Sequence, residues 1–485
     1  MYQAFIGLEV HIHLLAQTKV FCTCRSAFGD EPNTNVCPVC MGYPGVLPVL
    51  NIEAMRMGCV VARALNCHIP EKTWFERKQY FYPDMTKNYQ ISQFASPLGQ
   101  RGYLDLEGRG IKKRVRIHEC HLEEDAGKMI HSGNVSLLDY NRAGVSLLEI
   151  VTEPDMERGE EAELFIQQLR RMVRYLGVCD GNMEEGSLRA DANVSINLPG
   201  KGLGRKVEIK NLNSSRFVKL GLNYEIIRQG ALLDAGKTVV QETRLWNENR
   251  DETAPMRTKE NAHDYRYFPE PDLPIFEPDA AFLASVDASM VELPLARASR
   301  MASQYKLSEE QVDLICEEKA LADYFEEAVA AASVPDAAFR ISNLLLSDIR
   351  HLLARSGADP CAIAKFRLTP KRLAELVTML GEGRVSQKIV KQTIDLVLAE
   401  DKDPSAIIAE HNWGQITDTA VIDAAVQAVL ETEAAALAEL QTNANDKRRK
   451  SIGAYLVGKV LSATGGRADP KLVRSRLEQS AAGCF

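Results

Sequence analysis

The stretch "GLEVHIHL", residues 7–14, reads as a strand with two different faces. Leu8, Val10, Ile12 and Leu14 alternate with Glu9, His11 and His13. One face is therefore apolar, and the other carries a carboxylate and two imidazoles spaced about 6.6 Å apart. "DANVSIN" (191–197) aligns Asp191, Asn193, Ser195 and Asn197 in the same way, and "KVEIK" (206–210) aligns Lys206, Glu208 and Lys210. A solvated sheet face is ordinarily polar. Glu and His in the middle of a short strand nevertheless depart from the Thr and β-branched residues favoured there. Several such strands in one sheet would present carboxylates, imidazoles and ammoniums together, a combination suited to a divalent cation and a phosphorylated ligand.

Outward from this stretch, residues 1 to about 275 are rich in period-two alternation and in Gly, Pro and Asn turns, as in "KKRVRI". At least one helix interrupts them: "EEAELFIQQLRRMVRYLG" has helical spacing and a stop at Gly177. The proline-rich "YFPEPDLPIFEPD" (267–279) closes the strand-rich region. Beyond about residue 290 the texture changes to Ala-rich amphipathic helices. Ser308 stands three residues before Gln311, a capping-box spacing. Pro370 takes a first helical position in "LTPKRLAELVTML". The expected class is α+β: a strand-rich body over 1–292, a helical domain over 293–408 and a basic helical tail over 409–485.

Net charge is −8, but it is unevenly spread. Residues 447–485 hold nine Lys/Arg against two acids, about +7, which leaves about −15 on residues 1–446. A basic end on an acidic body points to a local phosphate contact rather than a broad polyanion surface. The N-terminus lacks a basic segment followed by an apolar one, and no window reaches the roughly 18 apolar residues of a membrane span. Eleven cysteines without such a leader argue against a disulfide framework, and a cytoplasmic protein is expected.

Cys22, Cys24, Cys37 and Cys40, in "FCTCRSAFGDEPNTNVCPVC", form two close pairs on a turn-rich loop, the pattern of a closed structural Zn²⁺ site. Cys59, Cys67, Cys120, Cys179, Cys316, Cys361 and Cys484 lack partner spacing and are expected as isolated thiols. "CHLEEDAGKMIH" (120–131) lines up Glu123, Glu124 and Asp125, whose mutual repulsion ordinarily makes a solvated turn. With Glu9, His11 and Glu149 they are also the candidates for a cation site. Cations for phosphates would come from Lys78, Lys128, Arg189, Lys206, Lys210, Arg257, Lys259 or Arg266. "ALLDAGKT" (231–238) ends like a phosphate-binding loop, but Ala231 replaces the first glycine and a helical pattern precedes it, so any nucleotide is bound without that loop.

Taken in order, "GLEVHIHL", "NTNVCPVCMGYPGVLPVLN", "RKQYFYPD", "YQISQF", "HLEEDAGK", "DYNRAGVSLLEIVTEPD", "MEEGSLRADANVSI", "KVEIKNLNS" and "DYRYFPEPDLP" resemble the B-subunit family of the aspartyl/glutamyl-tRNA amidotransferases, the GatCAB complex. The resemblance implies a cradle-like kinase domain, then a helical domain and a YqeY-like tail that contacts tRNA. It implies ATP-dependent phosphorylation of the side-chain carboxylate of Glu or Asp misacylated on tRNA(Gln) or tRNA(Asn). Ammonia from the family's amidase (the A component) then gives the amide, and a small C component completes the complex. It also implies Mg²⁺ ligands at His11, Glu124 and Glu149, with Glu9 and Asp191 nearby, and Lys78 beside the ammonia passage. Ser146 stands where the family commonly has proline, and His13 where it commonly has Gln or Glu. The rival expectation is a zinc-containing tRNA-binding protein without chemistry, against which the acidic body counts.

Overall fold

Strand β1 (Gln3–His13) uses the two-faced pattern in full: Ile6, Leu8, Val10 and Ile12 are all buried. The computed structural model describes residues 2–256, 265–355, 360–414, 416, 419–442 and 446–480. They fall into two compact units, Met1–Leu295 and Ala296–Phe485.

In the first unit β1 sits at the centre of a large mixed sheet. Its antiparallel neighbours are β8 (Ser146–Thr152) and β9 (Leu188–Asn197). β8 pairs in turn with the long β5 (Ile111–Glu124), which also carries β4 (Gly99–Gly108). Beyond β5 lie β3 (Tyr89–Ser92), β2 (Glu76–Gln79) and the two-residue β13 (Phe268–Pro269). On the other side β9 pairs with β10 (Val207–Lys210), followed by β11 (Thr243–Asn247) and β12 (Glu252–Pro255). A separate hairpin, β6 (Lys128–Ser132) and β7 (Val135–Asp139), follows β5.

The apolar strand residues share one core with helices α1 (Ile52–Ala64), α2 (Gly159–Tyr175) and α3 (Ser215–Asp234). Met55, Val61, Phe165, Leu169 and Leu222 meet Leu8, Ile12, Leu148 and Val194 there. Each fully buried side chain of this size stabilises by roughly 1.5–3 kcal/mol. α1 starts where Asn51 accepts from the N–H groups of Glu53 and Ala54, while its own amide donates to Thr18. α2 ends before Gly177, whose φ of 68° suits a helix terminus. Residues 231–234 lie in α3, so the sequence ending like a phosphate-binding loop is helical there.

Among its described residues the second unit is helical apart from one isolated bridge between Ile416 and Ala468. It holds two apolar clusters, one over Met301–Ile408 and one over Ile422–Leu477. Ser308 and Gln311 exchange both bonds of a capping box, and Thr369 caps the helix that Pro370 opens. The molecule is α+β, with the strands gathered in the first unit. Among the described residues no helix is long and apolar enough to cross a membrane.

Candidate active site and metal centre

Cross-strand register builds the polar face. His121 of β5 lies opposite Glu149 of β8, which lies opposite His11 of β1, which lies opposite Arg189 of β9. One row therefore alternates imidazole, carboxylate, imidazole and guanidinium. Glu149 Oε2 lies 3.3 Å from His11 Nε2 and 3.2 Å from His121 Nε2. Glu123, two residues along β5, brings a carboxylate oxygen to the same spot: ligand atoms of His11, Glu123 and Glu149 all lie within 4.8 Å of one another. Donors sharing one hard cation at about 2.1–2.5 Å stay within about 5 Å of each other, so this trio has the spacing to hold one. Burial disfavours charge on His11, but the hydrogen bond and the charge of Glu149 outweigh it and hold the imidazole above its usual range.

The adjacent row places Glu9 opposite Asp191, and Asp191 faces Lys210 of β10. Lys210 Nζ donates to Asp191 at 2.7 Å and lies 3.1 Å from Glu208. Its charge is held well up by Asp191 and Glu208 against the pull of burial. Glu9, Asp191 and Glu208 form a second group within 4.8 Å, already neutralised in part by this ammonium. Asn193 donates to Glu9 at 2.9 Å. Lys206, exposed just before β10, acts on Glu9 and Glu208 through its charge.

Both rows border an open cavity of about 300 Å³ lined by His11, Lys78, Glu123, Arg189, Asp191 and Tyr265. Lys78 Nζ sits 5.0 Å over the Tyr265 ring. Arg189 is aimed by Asp125, whose Oδ2 accepts from Arg189 at 2.9 Å and lies 2.6 Å from His13 Nε2. Burial would raise the Asp125 carboxyl; Arg189, His13 and Arg142 outweigh it and hold it far below the usual range. His13 thus serves Asp125 instead of adding a ligand to the trio.

Two expectations change here. The acidic run is no solvated turn: Glu123, Glu124 and Asp125 are 3 %, 2 % and 5 % exposed, at and just beyond the end of β5. Glu124 also faces away from His11 and Glu149, because strand neighbours alternate and Glu124 shares the side of Leu122. Its Oε2 accepts from Lys87 Nζ at 2.6 Å and its Oε1 from Ile91 N at 2.9 Å. Glu123, and not Glu124, lies beside His11 and Glu149.

Glu124 and Lys87 instead line a smaller cavity of about 100 Å³ that reaches Cys22 and Cys40. There the four sulfurs of Cys22, Cys24, Cys37 and Cys40 converge within 4.8 Å, the donor set and spacing of a tetrahedral thiolate site. Turns after Cys37 fold the second pair back, and Cys37 N donates to Cys40 Sγ at 3.2 Å. The hydrogen bond from Cys22 holds the Cys40 thiol well below its usual range, against the pull of burial. Lys19, 0 % exposed, places Nζ 3.6 Å from Cys40 Sγ and 3.2 Å from the Tyr140 carbonyl. A fully buried ammonium requires nearby negative charge, which thiolates supply. Gly144, at φ 84°, accepts from Val20 N and donates to Asp125 O, tying this loop to the end of β5 beside the polar face.

Of the remaining candidates, Lys128 is exposed on β6 and Arg266 lies between Tyr265 and Tyr267. Arg257, Lys259 and Cys484 fall outside the described residues. Cys59, Cys179 and Cys316 are buried, Cys361 is exposed, and Cys67 Sγ lies 3.9 Å from Cys120 Sγ, so that pair is not isolated. Reasoning from sequence passed over His121, Lys87 and Lys19. His121 was detectable, since it shares parity with Glu123; the burial of Lys19 had no local signal.

The polar face of this sheet gathers carboxylates and imidazoles beside lysine and arginine, groups that could hold a cation and a charged ligand together, in a chain whose second unit is built of helices among the described residues. The family model described as the GatB/GatE catalytic domain matches residues 4–284, and one described as a GatB domain matches 323–480. Three similar proteins are each named as the B component of an aspartyl/glutamyl-tRNA(Asn/Gln) amidotransferase. That of Moorella thermoacetica is 45 % identical, covering 99 % of each chain. That of Thermodesulfovibrio yellowstonii is 44 % identical over 97 % of this chain and 98 % of its own. That of Carboxydothermus hydrogenoformans is 43 % identical, again over 99 % of each. The chain belongs to this amidotransferase B-subunit family.

Proposed function

We propose that the protein is the ATP-dependent component of a multi-subunit, tRNA-dependent amidotransferase, a carbon–nitrogen ligase. Its substrates are Glu-tRNA(Gln), Asp-tRNA(Asn) or both, with ammonia supplied by an amidase partner (the A component) and a small C component in the complex. The names of the relatives support the activity, and the His11–Glu123–Glu149 trio beside Lys78 and Arg189 is the observation that carries it to these residues.

A side-chain carboxylate is a poor electrophile. Transfer of the γ-phosphoryl group of ATP to its oxygen releases ADP and leaves an acyl phosphate. Ammonia then attacks the carbonyl carbon, phosphate departs, and the amide remains. His11, Glu123 and Glu149 would hold Mg²⁺, which supplies charge neutralisation for the phosphates. Arg189, kept in direction by Asp125, and Lys78 offer cations to the transferring phosphoryl. Glu9, Asp191, Lys206 and Lys210 form the neighbouring nucleotide-binding edge. Cys22, Cys24, Cys37 and Cys40 would hold a structural Zn²⁺ that fixes the loop against Gly144. Domain limits at 292 and 408 accord with three separate apolar clusters, and the basic segment from Lys447 suits a tRNA backbone contact. A cytoplasmic location suits the reduced cysteines.

The test is the reconstituted complex carrying Glu149→Gln. Glutaminase activity should persist while ATP-dependent amidation of misacylated tRNA falls at least about a hundredfold. Undiminished amidation would remove the assignment.

A further inference from the structure

His121 is 8 % exposed and stands among three carboxylates, outside the His11–Glu123–Glu149 trio. Its Nδ1 lies 3.4 Å from Glu119 Oε1, and its Nε2 lies 3.2 Å from Glu149 Oε2 and 3.8 Å from Glu123 Oε2. Register fixes its side: it approaches Glu149 from β5, while His11 approaches from β1. Both imidazoles use Nε2 on the same carboxylate oxygen. An imidazole nitrogen that ligates a cation through its lone pair carries no proton and cannot also donate. If His11 Nε2 is spent on a cation, Glu149 keeps one imidazole donor in this row, and that is His121.

We propose that His121 is the positioning residue of the cation trio: its Nε2–H holds Glu149, with Glu123 in reach, so that their other lone pairs converge with His11 Nε2. Hydrogen bonds of this kind to ligating carboxylates set ligand orientation and thereby cation affinity. The inference rests on the proposed cation site and adds to it a residue outside the ligand set.

Two amides separate the two ring nitrogens. Asn places its amide nitrogen near the position of Nδ1, toward Glu119, whereas Gln reaches the position of Nε2, toward Glu149. Mn²⁺ binding to the reconstituted complex, followed by electron paramagnetic resonance, is measured for wild type, Glu149→Gln, His121→Asn and His121→Gln, with thermal unfolding of each recorded beside it. His121→Asn should bind Mn²⁺ about ten- to a hundredfold more weakly, and His121→Gln should recover most of that loss. In amidation assays His121→Asn should raise the Mg²⁺ concentration for half-maximal rate by a similar factor, with kcat at saturating Mg²⁺ close to wild type. A merely structural role would lower both variants alike and leave the Mg²⁺ requirement unmoved, which overturns the inference. If Glu149→Gln loses Mn²⁺ but His121→Asn keeps wild-type affinity, this inference falls alone. If Glu149→Gln binds as wild type does, the cation reading falls and carries this one with it.

Discussion

At Glu123 the side chain turns toward His11, and at Glu124 toward Lys87, because successive residues of a strand point to opposite faces. The two carboxylates therefore fail differently when neutralised. Glu123→Gln should weaken Mn²⁺ binding about tenfold or more while leaving the unfolding midpoint little changed. Glu124→Gln should keep cation affinity but destabilise by roughly 1–3 kcal/mol, since it leaves the half-buried ammonium of Lys87 without its charged partner. Denaturant unfolding and metal titration of both variants check the split; equal loss of Mn²⁺ in both would refute it. Parity made this choice legible, for Leu122 is a core residue two positions before Glu124. A run of three acids obscures it, because such a run also suits a turn. Lys19 follows the reverse logic. Lys19→Met keeps the volume and removes the charge, so zinc should pass to a competing chelator faster than from wild type.

Element ends were read from local chemistry and stand where the side chains put them. The Ser308–Gln311 box needs only residues three apart, and Pro370 acts within one turn. Ser308→Ala should cost about 0.5–2 kcal/mol in urea unfolding. Between helices, Arg297, 8 % exposed in its side chain, and Arg300 both bind Glu326. Burial alone would raise the Glu326 carboxyl, and the two arginines outweigh it and lower it. A carboxyl lowered in the folded state contributes stability above its unfolded value, about 4.3, and loses it as pH falls through the folded value. Urea unfolding of the wild type should therefore weaken from pH 5 toward pH 3 more steeply than that of Glu326→Gln. Parallel profiles would show that the arginines do not act through this carboxyl. No periodicity announced this group, because both arginines lie on one helix (Pro294–Tyr305) and Glu326 on another (Lys319–Ala331).

Across the whole molecule, the loop holding the four cysteines is joined to the catalytic sheet through Val20, Gly144 and Asp125. Chelation of zinc should speed hydrogen exchange in peptides covering 19–51 and 140–146 and leave peptides from 296–485 unchanged. Uniform exchange across both units, or none in either, would contradict a zinc-dependent loop. By itself the sequence determined which residues alternate, that one helix stops at Gly177 while others start at Ser308 and Pro370, and that four cysteines could meet, since each depends on nearby positions. Tertiary structure decided that His121, Glu149, His11 and Arg189 share a row, that Asp125 directs Arg189, and that Lys19 lies buried against sulfur. Those pairings join residues tens to well over a hundred positions apart. Strand register and packing, which no local pattern encodes, bring them into contact.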